Sequence, residues 1–136
     1  MYLKDIIRGE NRMKLKNKTI KEIQKILTVV GNKEIDDWQL AFKIANNNYK
    51  LMRAAEPIIK VENDILRKCG EKDENGELIA NRDGTVKIVD TKKYGQDIKT
   101  LMETENDVEV EYFSKSEVSK MHITPNQIVL LMPIIE

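Results

Sequence analysis

Asn46, Tyr49, Lys50 and Arg53 stand three, four and seven positions apart, the spacing that gathers side chains on one side of a helix. A carboxamide, a phenol ring, an ammonium and a guanidinium fork are groups that hold a phosphate or stack on a base. These four residues are therefore the candidate ligand-binding set for a small nucleotide-like ligand. An ordinary solvated helix face is the competing account. Other chemistry is thinly supplied. The chain has one histidine, His122, and one cysteine, Cys69, whereas a zinc site uses about four ligands. Cys69 falls at the end of a predicted helix, where the negative end of the helix dipole disfavours a thiolate nucleophile. Asp73-Glu74-Asn75-Gly76-Glu77 resembles the start of a calcium loop, but Leu78 replaces the bending glycine and Gly84 the bidentate glutamate. The glutamates between Glu103 and Glu111 alternate as on a strand, which places them on a solvated face rather than in a catalytic pair. No phosphate-loop, dinucleotide or nucleophile-elbow motif occurs. The expectation is no catalytic residue, no metal and no cofactor.

Charge narrows the partners. The formal net charge is zero, which makes nucleic acid an unlikely general partner, yet the charge is unevenly placed. Residues 1–33 carry nine Lys or Arg against three acids, leaving +6 there and −6 beyond. Mutual neutralisation within or between subunits is the plainer reading, and a basic arm for an anionic partner the sharper one. The single thiol fits a reducing compartment. No apolar run approaches the ~20 residues of a membrane span.

These residues need elements to position them. Residues 1–12 read as a flexible N-terminal extension and 13–136 as a single domain. Thr19-Ile20-Lys21-Glu22 has the form of a capping box, and Ile20, Ile23, Ile26, Leu27 and Val30 recur on one face, with Gly31 after them. A long helix runs from a cap at Asp36 or Asp37 to Gly70. It carries two apolar sets, Trp38, Ala45, Met52, Ile59, Leu66 and Ile44, Leu51, Ile58, Ile65. So wide a stripe predicts a second copy as cover for part of it. Pro57 predicts a kink or a break near Arg53–Glu56, and Asn46-Asn47-Asn48 a weak spot upstream. The turns at Asn75-Gly76 and Asp83-Gly84 predict a hairpin, with β structure at about 75–90 and again at 107–113. Thr91–Glu105 reads as a helix, and Thr124-Pro125-Asn126-Gln127 opens a last short one. The fold class is mainly α (α+β): a long kinked amphipathic helix packed with two or three shorter helices, plus a small β-hairpin and edge strand.

Four stretches carry a resemblance: Met13-Lys14-Leu15-Lys16-Asn17-Lys18, Lys68-Cys69-Gly70-Glu71-Lys72-Asp73-Glu74-Asn75-Gly76, Glu103-Thr104-Glu105-Asn106-Asp107-Val108-Glu109-Val110, and Ile123-Thr124-Pro125-Asn126-Gln127-Ile128. Their order resembles that of small phage and prophage proteins of Gram-positive bacteria with no assigned function. Pro57 and Asn46-Asn47-Asn48 lie outside that pattern. The resemblance implies a viral origin, a place in the host cytoplasm and a non-enzymatic role. The expected function is that of a phage accessory protein that antagonises host defence by sequestering a small nucleotide signal or blocking a host protein, as a homo-oligomer. A virion-assembly component or chaperone is the alternative.

Overall fold

A computed structural model describes residues 10–136. Its elements are strand β1 (Glu10–Lys16), helix α1 (Asn17–Gly31), helix α2 (Trp38–Cys69), helix α3 (Thr91–Glu103), strand β2 (Glu105–Glu111), helix α4 (Lys115–Ser119), helix α5 (Pro125–Leu131) and a 3₁₀ turn, Met132–Ile134. The fold is mainly helical with a small antiparallel sheet. The expected extension over 1–12 is corrected at its end: residues 10–12 belong to β1, while 1–9 lie outside the described residues. The single domain expected over 13–136 resolves into two compact units. One is the described chain up to Ala55 with Glu105–Glu136; the other is Glu56–Thr104. Nothing in the composition marks this division, because it falls inside a continuous helix.

The first unit explains the uneven charge. β1 and β2 pair antiparallel, with Arg12 opposite Glu109, Lys14 opposite Asp107 and Lys16 opposite Glu105. Alternation puts these charges on one face and Met13 and Leu15 on the other, toward Val108 and Val110. Opposite charges across a ladder contribute roughly 0.2–1 kcal/mol per pair. The basic stretch and the acidic stretch are thus neighbours in space.

α1 follows β1 directly. Ile20, Ile23, Ile26, Leu27 and Val30 are all buried, as their spacing predicts. Burying each such side chain is worth roughly 1.5–3 kcal/mol. The capping box at Thr19 does not form, because the helix begins two residues earlier, at Asn17, with Lys16 as an N-cap that makes no side-chain bond. Asn17 is instead buried and accepts from the Asn106 amide at 2.6 Å. Gly31 is the last helical residue, and Asn32 at φ −92° closes the end without a left-handed turn.

Asp37 caps α2 as expected, its Oδ1 accepting from the amides of Gln39 and Leu40. Helix α2 continues unbroken through Pro57. That proline is exposed, so the missing amide donor at this turn falls on a stretch of helix that water can reach. After β2, Phe113 is fully buried, and Ser114 and Glu117 form a capping box at α4. Thr124 and Gln127 form another at α5, with Pro125 in its first turn. The apolar chain end is tucked in. The Phe113 amide donates to the Ile134 carbonyl, the Glu136 amide donates to the Phe113 carbonyl, and Ile134 is buried.

In the second unit the expected hairpin appears as three isolated bridges, Gly70 with Ile88, Lys72 with Leu78 and Ala80 with Val86, and not as two regular strands. Gly76 and Gly84 take φ of 80° and 84°, as their turns require. The hairpin leans on the end of α2: a Cβ on Gly70 would stand 2.6 Å from Leu78 Cδ2 and 2.8 Å from Val86 Cγ1. Asp73 accepts from the amides of Asn75 and Glu77, so its carboxylate shapes the turn. Asp83 does the same for Thr85, whose hydroxyl and amide hold its carboxyl below the usual range. Asp90 caps α3 by accepting from the Lys93 amide.

Candidate functional site

Of the four residues singled out on α2, the structure joins Tyr49 and Arg53. Arg53 Nη1 donates to Tyr49 Oη at 3.0 Å, and the guanidinium lies 5.7 Å from the ring centroid. Lys50 and Arg53 line a hollow of about 250 Å³ together with Ala54, Asp107, Val108 and Glu109. Asn46 is half-buried and does not line it. Two basic and two acidic residues thus line one hollow, and Glu109 among them is also paired with Arg12 at 4.0 Å.

The residue between these, Asn47, has a different task. It is fully buried, its Nδ2 donates to the Glu111 carbonyl at 2.8 Å, and its Oδ1 accepts from the Glu111 amide at 3.0 Å. One carboxamide thus serves as a further strand partner for β2. The signal lay in the register: Asn47 falls in line with Leu40, Ile44, Leu51 and Ala55, all buried.

The two apolar sets of α2 separate sharply. Ile44, Leu51, Ile58 and Ile65 are buried, whereas Trp38, Ala45, Met52 and Ile59 are exposed and Leu66 half-buried. In the first unit the exposed set is joined by aromatic residues. Trp38 is 72% exposed, Phe42 68%, Tyr49 58% and Met52 48%. With Ala45 these alternate at spacings of four and three, and at ~100° per residue they occupy the face opposite the buried stripe.

Lys43 leaves that face and pins α2 to the turn before α4. Its Nζ contacts Glu117 Oε1 at 2.9 Å, donates to the Tyr112 carbonyl at 3.1 Å and lies 5.7 Å from the Phe113 ring centroid. Burial by itself raises the Glu117 carboxyl; the Ser114 amide and the Lys43 ammonium outweigh it and hold the group below its ordinary value. Asp37 is held low as well, chiefly by its hydrogen bond from Lys120.

A second hollow, of about 430 Å³, opens between α4 and α5. Val118, Ile123, Ile128, Met132 and Ile135 give it apolar walls, and Lys115, Ser119 and His122 are its polar members. His122 is the one non-glycine residue with a positive φ, 53°, among the described residues. Its carbonyl accepts from Lys33 Nζ at 2.9 Å, which helps to hold that uncommon conformation. Val129, 62% exposed, and Leu130 are further exposed apolar residues of α5. Among the described residues no group of three His, Cys, Asp or Glu is placed to hold a metal ion, and no helix is long and apolar enough to cross a membrane. Cys69 is buried at the end of α2, its carbonyl accepting from the amides of Val89 and Asp90. No protein-family model, no curated protein and no solved structure matches the chain.

Proposed function

We propose that this chain is a non-enzymatic phage accessory protein that works in the host cytoplasm by binding, and that it blocks a host protein of a defence pathway rather than sequestering a nucleotide signal. The observation that carries this reading is the hollow between α4 and α5. It has apolar walls, and a basic side chain and an imidazole among its lining residues. Pockets of this size with apolar walls and few polar groups suit an anchoring side chain. The fitting partner is a protein segment that presents a large apolar residue beside a carboxylate.

A photo-crosslinking residue at Val129 tests the reading in host cells. The expected product is one recurring host protein that also binds the purified chain by titration calorimetry and releases it when Met132→Asp is introduced. The opposing result is micromolar binding of a cyclic or ADP-ribose-type nucleotide, abolished by Arg53→Ala, with no crosslink at Val129. Recovery of the chain in purified virions would instead favour an assembly role.

A further inference from the structure

We propose that a second copy of this chain docks on the outward face of α2 between Trp38 and Met52, helix against helix and antiparallel, with Ala45 at the two-fold axis. The surface is separate from the α4–α5 hollow, and the inference does not depend on the function proposed above.

The spacing is the first argument. Trp38, Phe42, Ala45, Tyr49 and Met52 follow one another at four, three, four and three positions. That is the seam by which two helices pack knobs into holes. Here it lies opposite the face that already fills the core, so the helix presents two apolar faces and its own fold covers one. The surface of a monomer seldom keeps three large aromatic side chains in one row at 72%, 68% and 58% exposure.

The second argument is size. Aromatic side chains bury 150–250 Å² each, so the exposed fractions of these three, with Met52, amount to roughly 500 Å² per copy. A pair would bury on the order of 1,000 Å², the lower bound for a specific contact. That predicts a reversible dimer of micromolar strength rather than an obligate one.

The third argument is charge, and it selects the orientation. The seam residues are uncharged, and the two charged residues within this stretch lie off it, Lys43 against Glu117 and Lys50 lining the hollow beside β2. Before the stretch Glu34, Asp36 and the Lys120-paired Asp37 outnumber Lys33, whereas at its far end Lys50 and Arg53 outnumber Glu56. A parallel pair places like charges together at both ends. An antiparallel pair brings the acidic end of each copy to the basic end of the other. The same arrangement opposes Phe42 to Tyr49 and Trp38 to Met52, and leaves the smallest side chain, Ala45, where the helices cross most closely.

Sedimentation velocity of the full chain tests the proposal between about 1 and 100 µM, the range in which a contact of this size dissociates. The expected result is a mass rising from one chain to two. Phe42→Glu and Ala45→Arg should each weaken association at least tenfold, with the circular dichroism spectrum unchanged because both side chains point outward. Mixing Phe42→Cys with Tyr49→Cys chains under oxidation should give the mixed disulfide. A single-chain mass at the highest concentration overturns the proposal, as does a dimer that neither substitution weakens. Exclusive like-with-like disulfides overturn the antiparallel arrangement.

Discussion

Asn47 offers the sharpest test of how the first unit is held together. Asn47→Ala removes two hydrogen bonds, of 2.8 and 3.0 Å, and leaves the Glu111 amide and carbonyl without them. An unsatisfied buried polar group costs about 1–3 kcal/mol. Alanine returns up to ~0.7 kcal/mol through its better helix propensity. With both groups left unsatisfied, the expected net loss is therefore about 1–5 kcal/mol, which for a chain of this length lowers the melting temperature by roughly 4–20 °C. Two further variants isolate the cause. Asn47→Leu is more apolar and fills the site, yet it still leaves Glu111 unpaired, so it should lose nearly as much. Asn47→Asp keeps the acceptor for the Glu111 amide but turns a second oxygen toward the Glu111 carbonyl. Its buried carboxyl would be raised above its unfolded value, so this variant should regain stability as pH falls through that raised value, when the acid proton can donate to the carbonyl. Urea unfolding followed by far-ultraviolet circular dichroism at several pH values gives all three numbers. Full native stability in Asn47→Leu would refute the reasoning, because Glu111 would then need no partner.

Four other outcomes follow from contacts described above. Lys43→Met, which strips Glu117 of its ammonium partner and the Tyr112 carbonyl of a donor, should cost about 1–3 kcal/mol in denaturant unfolding. Because the Glu117 carboxyl is lowered in the folded state, its contribution is complete above the ordinary glutamate range and is lost as pH falls through the lowered value. Glu117→Gln should accordingly flatten the acid side of the stability profile. Gly70→Ala forces a methyl against Leu78, Val86 and the Leu66 carbonyl, the last at 2.9 Å. It should destabilise the second unit by about 1–3 kcal/mol. Faster hydrogen exchange at the Ile79, Asn81 and Val89 amides, which bond across the bridged region, would report it. Reversing Arg12, Lys14 and Lys16 to glutamate should weaken β1–β2 pairing by about 1–2 kcal/mol at low salt and less at high salt. Reversing Glu105, Asp107 and Glu109 to lysine as well should restore it.

Local signals were legible where the chemistry was local. The Asp37 cap, the α5 capping box at Thr124 and Gln127, and the apolar period of α1 all needed only neighbouring residues, and each forms. β1 was not legible as a strand, because its partner lies some 95 positions away. The matching signal was present in two places, a basic alternation at Arg12, Lys14, Lys16 and an acidic one at Glu105, Asp107, Glu109, but only their pairing gives it meaning. The Ser114–Glu117 capping box was readable in principle and was hidden by the brevity of α4. On α2 the period was plain, yet two apolar sets competed for one core, and periodicity does not say which of them the rest of the chain covers. For the candidate ligand residues, sequence placed Tyr49 and Arg53 together correctly. It could not see Asp107 and Glu109 arriving opposite them from β2.

The division at Ala55 has a consequence for how such a chain is assembled and edited. Ala54, where the first unit is left, lines the same small hollow as Asp107 and Val108, just after it is resumed. Departure and return are therefore neighbours, and Glu56–Thr104 is a cassette spliced into a framework whose cut ends nearly touch. Replacing the cassette by a short glycine-serine link should leave the framework folded, with α1, the β1–β2 ladder and the Asn47 clamp intact.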